Sequence, residues 1–247
     1  FTGLPVQDAA PDPFTYACQF GPRALVIWGA DRAVGLRDPA LTARDPVGQP
    51  IATPRLARDM PILITSDGPD VRLGGNVRLG PQTVIADTFD QFAYPGQSGD
   101  GFQRFARSGG EVIAFTLGPG QQTGGVPWTP YLGTARDGML RMDAEFMMPS
   151  MHAAGPAEIV HRYTAPRPMR VDLTARLDPA GDHGDGLILS VELNGAQLAA
   201  RHITDREGLV LEGVALDTGD RLDIISGPGA TPDGDDALYR FTLRRAP

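Results

Sequence analysis

Several residue classes along the 247-residue chain could carry chemistry, and each points to a different reaction. A nucleophilic hydrolase needs a hydroxyl or thiol beside a histidine and an acid, with the serine often on a G-x-S-x-G turn. The histidines are His152, His161, His183 and His202, and the chain has no G-x-S-x-G. His161 and His202 fall in strand-like segments, where a packed or surface imidazole is the ordinary role. No two histidines are spaced to share a helix face or a finger, so zinc lacks a ligand set. Glycoside hydrolysis needs two carboxylates flanking the scissile bond. Glutamate occurs only at Glu111, Glu145, Glu158, Glu192, Glu207 and Glu212, mostly alternating with apolar residues as on the wet face of a strand. A catalytic Glu pair is therefore not expected.

Two acidic loops are a better lead to a bound ion. Residues 178–185 read Asp-Pro-Ala-Gly-Asp-His-Gly-Asp, and a second loop carries Asp233-Gly234-Asp235-Asp236. Hard cations take several oxygens from such turns, so Asp182, Asp185, Asp233, Asp235 and Asp236 are candidate ligands for a structural Ca²⁺, although the spacing is not that of an EF-hand. Solvated loop tips built on Asx-turns have the same composition, which leaves both readings open. Sugar recognition needs exposed aromatic faces with polar groups for the hydroxyls. Trp128 and Tyr131 in Val-Pro-Trp-Thr-Pro-Tyr (126–131), and Phe102 with Arg104 in Gly-Asp-Gly-Phe-Gln-Arg-Phe (99–105), are the candidates. Aromatic rings at such places also serve as core plugs.

The elements that must hold these residues are strands. Period-2 alternation predicts one buried face at Leu140, Met142, Ala144 and Phe146, another at Val171, Leu173, Ala175 and Leu177, and a third at Leu187, Leu189, Val191 and Leu193. Asn194-Gly195 is the preferred type I′ hairpin dipeptide, so 197–203 is read as the returning strand. Residues 209–216, 221–225 and 238–243 supply three more strands, separated by turn-forming residues. Nearer the start, 23–28 and 33–37 read as a hairpin turning at Gly29-Ala30-Asp31, and 61–65 as a short apolar strand.

Composition agrees. There are 24 Asp against 6 Glu, so the acids are mostly the turn-forming kind, which disfavours long helices; Gly numbers 31 and Pro 23, and all 22 basic residues are Arg. With 41% apolar residues the chain can bury a core. A net charge of −8 and the lack of a basic run argue against a nucleic-acid partner. The longest apolar stretch, residues 24–28, is far short of the roughly 20 residues of a membrane helix. The one cysteine, Cys18, cannot form an internal disulfide. The charge is unevenly spread: residues 1–82 hold 8 Asp, 8 Arg and no Glu, so the remaining 165 carry the whole −8. That break coincides with the glycine-rich stretch 67–81, read as a linker, and places a domain boundary near 80. The fold expected is all-β, a small β-sandwich-like domain over 1–80 and an antiparallel jelly-roll β-sandwich over 81–247. The start at Phe1 without Met is what a mature or trimmed product would show.

From about residue 83 onward the chain resembles the jelly-roll, carbohydrate-binding-module-like domains attached to secreted polysaccharide-acting enzymes. The motifs are Asp87-Thr88-Phe89, Trp128-Thr129-Pro130-Tyr131-Leu132, the segment 157–166 ending Tyr163-Thr164-Ala165-Pro166, then Gly184-Asp185-Gly186, Asn194-Gly195, Thr218-Gly219-Asp220 and Ser226-Gly227-Pro228-Gly229. Tyr163 stands where that family usually has Trp, and Leu238-Tyr239-Arg240 replaces its usual ending. Residues 14–65 resemble the small β domain that follows the catalytic barrel in β-xylosidase and α-iduronidase type glycoside hydrolases. Its matching pieces are Ala24-Leu25-Val26-Ile27-Trp28-Gly29, Asp45-Pro46-Val47-Gly48-Gln49-Pro50-Ile51 and Met60-Pro61-Ile62-Leu63-Ile64. The resemblance implies a non-catalytic carbohydrate-binding or accessory region, with a poly- or oligosaccharide partner and a catalytic barrel lying outside this chain. It also implies a secreted, periplasmic or cell-surface setting, and no cofactor is required beyond the Ca²⁺ the loops could take. Two alternatives stand beside it. One is a polysaccharide lyase or hydrolase on the jelly roll itself, using His161 or Tyr163 with Arg141, Arg162, Arg170 or Arg176 on a shared concave face. The other is a structural sandwich that mediates assembly through an exposed apolar patch.

Overall fold

The computed structural model describes residues 3–247 apart from 96, 98, 100, 119–121, 124–125, 128–130, 135–136, 153–154, 181–183 and 232–234. Regular structure among the described residues is strand throughout, and none of them forms a helix long and apolar enough to cross a membrane. The chain divides into two compact units, Phe1–Val84 and Ile85–Pro247.

Unit 1 contains β1 (Val6–Asp8), β2 (Thr15–Phe20), β3 (Ala24–Gly29), β4 (Val34–Leu36), β5 (Leu41–Arg44), β6 (Ile62–Ser66) and β7 (Val77–Leu79). An antiparallel sheet runs β1-β2-β3-β6-β5, and β4 pairs β7. Leu25, Ile27, Ile62 and Ile64 of the larger sheet share one core with Val34, Leu56, Val71 and Val77. Two expectations are corrected here. The strand at 23–28 does not fold back on 33–37; β3 lies between β2 and β6, and Val34–Leu36 pairs with β7 instead. Both edges of β3 are taken, one by β2 and the other by β6, and at Gly29, with φ 139°, a Cβ would strike the Phe14 carbonyl oxygen, so glycine alone lets β2 and β3 close there. Nor is 67–81 a linker, because Val71 and Val77 belong to the core of the unit.

The remaining strands are β8 (Val84–Asp87), β9 (Gln103–Ser108), β10 (Glu111–Ala114), β11 (Thr116–Gly118), β12 (Gln122–Thr123), β13 (Val126–Pro127), β14 (Tyr131–Thr134), β15 (Asp137–Met142) and β16 (Phe146–Met148). They continue with β17 (Ser150–His152), β18 (Gly155–Thr164), β19 (Met169–Pro179), β20 (Leu187–Leu193), β21 (Ala196–Ile203), β22 (Glu207–Leu216), β23 (Arg221–Pro228) and β24 (Ala237–Arg245). One antiparallel sheet of unit 2 runs β10-β9-β18-β23-β20-β21 with β17 beside β18. A second runs β11-β14-β15-β16-β24-β19-β22 with β8 beside β24. Alternate residues of both sheets fill one core: Ala106, Ile159, Leu189 and Ile224 from the first, Leu132, Met142, Leu173 and Phe241 from the second. This is an all-β sandwich, as the alternation predicts.

The segment after β8 is tied down electrostatically. Asp87 is fully buried; its carboxylate accepts from the Phe89 and Asp90 amides, from the Thr242 hydroxyl at 2.6 Å and from Arg240 at 3.0 and 3.2 Å. The third correction lies nearby. Phe146 was expected to share a face with Leu140 and Met142, but β15 stops at Met142 because Asp143 Oδ1 accepts from the Glu145 and Phe146 amides. This Asx-turn resets the phase, so Met147 rather than Phe146 enters the core.

Candidate functional site

Strand alternation decides what each candidate side chain can reach. On β9, Ala106 points into the core, so Arg104 also points inward, while Phe105 and Arg107 face out. On β14, Leu132 points inward and Tyr131 outward, where the Tyr131 ring lies over Gly133 close enough that a Cβ there would meet it at 3.0 Å. The proposed sugar-binding residues are thereby separated. Phe102 is only 5% exposed and is a core plug: its ring meets those of His161 and Tyr163 edge-on at 6.1 and 6.4 Å, and it offers no free face for stacking. Tyr131 is half-buried on the outer face, and Trp128 lies outside the described residues.

Arg104 is drawn to a different neighbourhood. Ala93, Tyr94, Gln97, Arg104, Phe115 and Leu132 are among the residues lining an open recess of about 220 Å³. The guanidinium lies over the Phe92 ring at 4.7 Å, and Phe92 in turn meets Tyr94 edge-on at 5.1 Å. One nitrogen donates to the Thr88 and Gln91 carbonyls at 3.4 Å each, and the Tyr239 phenol accepts a further bond. Burial draws the Arg104 guanidinium below its ordinary range, and Tyr239 opposes that shift. Tyr94 and Phe115 escaped the sequence reading. The signal for Tyr94 was present: an aromatic followed by Pro95-Gly96 has the same looped setting that singled out Trp128.

Other recesses are less suited to a sugar. A larger one, about 570 Å³, belongs to unit 1 and is lined by Pro5, Pro11, Pro22, Gln19, Asp70 and Arg72, with no aromatic face. One of about 260 Å³ on the outer face of the second sheet of unit 2 includes Phe89, Arg176, Arg206 and Arg240. There Arg240 is already held by Asp87 and Asp90, and Arg206 lies 3.7 Å from Asp178.

The catalytic alternative loses its geometry. His161 is fully buried between the sheets, with Tyr239 and Phe241 ring centres 5.2 and 5.1 Å away, and neither ring nitrogen has a hydrogen-bond partner. Burial, reinforced by the nearby Arg104 charge, holds its pKa well below the ordinary range, so it stays neutral. Tyr163 is likewise turned inward. Arg162 belongs to β18 of the first sheet, apart from Arg141, Arg170 and Arg176, which alternate with core residues on β15 and β19 and face outward from the second sheet, away from the inward-turned His161 and Tyr163. Arg162 is paired bidentately with Asp223, both bonds 2.7 Å, and its cation covers Phe105 at 4.8 Å. Arg107 beside it bridges Glu192 and Glu158, which raise its pKa.

The two acidic loops come together at one end of unit 2. Asp185 accepts from the Ala230 amide at 2.6 Å and from the Thr231 amide at 3.2 Å, Asp235 accepts from the Gly229 amide at 2.9 Å, and the Ala180 amide donates to the Asp236 carbonyl at 2.8 Å. Asp182 and Asp233 lie outside the described residues. Among the described residues no group of three or more His, Cys, Asp or Glu side chains converges as a metal site would. The Asp185 carboxylate instead ties the two loops together, and that of Asp235 holds its own loop, by accepting from backbone amides of residues 229–231.

No family model and no curated protein matches the chain. Among solved structures it is similar to the Podospora anserina GH26-CBM35 beta-(1,4)-mannanase at 15% identity and TM-score 0.30, over 60% of this chain and 28% of that one. It is similar to the Arthrobacter globiformis T6 isomalto-dextranase complexed with panose at 14% identity and TM-score 0.28, over 93% and 36%. It is also similar to the exo-beta-1,3-galactanase of Phanerochaete chrysosporium at 8% identity and TM-score 0.30, over 96% and 56%. The chain thus spans between 28% and 56% of the length of these proteins, and likenesses at TM-scores of 0.28 to 0.30 carry no weight in assigning its role.

Proposed function

We propose that this chain is a non-catalytic, carbohydrate-binding accessory region of a polysaccharide-acting enzyme, with unit 2 holding the glycan and unit 1 serving as an accessory β domain. The observation that carries the reading is the recess on unit 2, where Tyr94 and Phe115 stand beside the Arg104 guanidinium. Aromatic faces desolvate the C–H side of a pyranose while a fixed donor takes its polar substituents, which is the composition a sugar site requires. Its volume of about 220 Å³ suits one sugar ring of a longer chain. The resemblance of 83–247 to carbohydrate-binding modules supports the same assignment. In this reading Tyr131, on the outer side of β14, and Trp128 contribute a second sugar contact, and Asp182, Asp185, Asp233, Asp235 and Asp236 are the candidate ligands of a structural Ca²⁺.

The test is a glycan array followed by calorimetry. The native chain is expected to bind an oligosaccharide without cleaving it, and Tyr94→Ala is expected to weaken binding at least tenfold, with smaller losses for Tyr131→Ala and Trp128→Ala. Binding indifferent to Tyr94→Ala, or cleavage abolished by substituting a carboxylate of this chain, overturns the proposal. Thermal melting with and without EDTA tests the ion: an unchanged transition removes Ca²⁺ from the reading.

A further inference from the structure

Several arginines of unit 2 are held by carboxylates. Arg107 is held by Glu158 and Glu192, Arg162 by Asp223, and Arg240 by Asp87 and Asp90, all at 2.7–3.0 Å. Arg104 is more enclosed than these, yet among the described residues no carboxylate forms an ion pair with it. Its contacts are two long bonds to backbone carbonyls, the Tyr239 phenol and the Phe92 ring, and its buried Nε has no partner. His161, directly opposite Arg104 in the β9–β18 ladder, is neutral and supplies no counter-charge. Asp143, whose charge reaches Tyr94 and Tyr239, has Oδ1 engaged by two backbone amides of its own turn. A part-buried cation without a counter-ion carries a desolvation cost, and an anion arriving in the recess relieves it.

We infer that the recess selects a negatively charged sugar, a uronate or a sulfated residue, whose anionic group pairs with the Arg104 guanidinium while its ring packs against Tyr94 and Phe115. This rests on the sugar-binding reading above and names the class of sugar. Arginine suits the task because its planar fork meets a carboxylate or sulfate through two parallel bonds. The rest of the chain offers no long-range attraction, since its net charge is −8. Selection must therefore come from short-range pairing at this one cation.

Calorimetry of the full chain with three probes tests the inference: a uronic-acid oligomer, the same oligomer after carboxyl reduction to neutral hexoses, and a sulfated neutral oligomer. At least one acidic probe is expected to bind tenfold or more tightly than the carboxyl-reduced one, and which of the two does so separates carboxylate from sulfate. Arg104→Gln is expected to erase the preference and Arg104→Lys to keep part of it. Because Arg104 is packed within the fold, the melting temperature of each variant is measured first, and the probe ratio on the unaltered chain decides the question whatever the variants do. Equal affinity for acidic and reduced probes overturns the inference and leaves sugar binding standing. Failure of the native chain to bind any glycan, neutral ones included, overturns both.

Discussion

His161 is the residue whose environment has the clearest measurable consequence. Its ring is enclosed by Phe102, Tyr239 and Phe241, with Arg104 the charge facing it among the described residues and Tyr239 and Tyr163 the titratable neighbours. The folded chain holds the imidazole neutral, whereas the unfolded chain protonates it below about pH 6.5. Its support for folding is therefore complete above that pH and is lost as pH falls toward the depressed folded value, at up to about 1.4 kcal/mol per pH unit. The denaturation midpoint of unit 2 should fall between pH 7 and 5. His161→Leu should remove most of that slope and leave stability at pH 7 unchanged or higher, because no hydrogen bond of the ring is lost. A variant as acid-sensitive as the native chain would show that other groups carry the effect. The same residue shows what composition can and cannot reveal: its place in a strand was legible, but whether the imidazole faced water or the core depended on pairing with Arg104 and Ile224.

At the scale of the element, two glycines separate local from tertiary constraint. Gly195, at φ 85° in the β20–β21 turn after Asn194 at φ 52°, has nothing within 4 Å of where a Cβ would stand. Gly208 has an ordinary φ, but a Cβ there would collide with the Ala175 carbonyl oxygen across the β19–β22 ladder. Gly195→Ala should cost about 1 kcal/mol, the strain of the left-handed region, and Gly208→Ala about 3 kcal/mol, the cost of overpacking. Urea midpoints read both, and a reversed order would mean that the ladder bends to accommodate the methyl. This division also marks how far the sequence was readable. The Asn194-Gly195 hairpin and the faces of β19 and β20 follow from turn chemistry and alternation alone. The hairpin expected over 23–37 and the phase of β15 departed from that reading where a polar side chain or a strand distant in sequence intervened: Asp143 halting β15, and β6 taking the edge of β3 in place of 33–37. The recess was partly legible, through Arg104, but no spacing rule could bring Tyr94 and Phe115 to it, because that depends on how β9 and β14 are placed.

For the whole molecule, the uneven charge becomes a difference between the units. Unit 1 is neutral, with 8 Asp and 8 Arg, whereas unit 2 carries the full −8 and all six Glu. Excess like charge destabilises a compact body through self-repulsion, and exposed ion pairs offset little of it. Salt screens that repulsion, as the Debye length shortens from roughly 30 Å at 0.01 M to about 10 Å at 0.1 M. Each unit has a core of its own and a single tryptophan, Trp28 stacked on Tyr16 at 5.4 Å in unit 1 and Trp128 in unit 2. Trp128→Phe leaves Trp28 as the only indole emitter and Trp28→Phe leaves Trp128, so each variant reports one transition. Raising salt from about 0.02 to 0.3 M should stabilise unit 2 by about 1 kcal/mol, which moves the Trp128-reported melt up by roughly 2–4 °C. The Trp28-reported melt should stay within about a degree, because a body without net charge has no excess repulsion to screen. Equal shifts at both reporters would show that the charge does not act unit by unit. A downward shift at Trp128 would show that the Arg107, Arg162 and Arg240 pairs outweigh the repulsion.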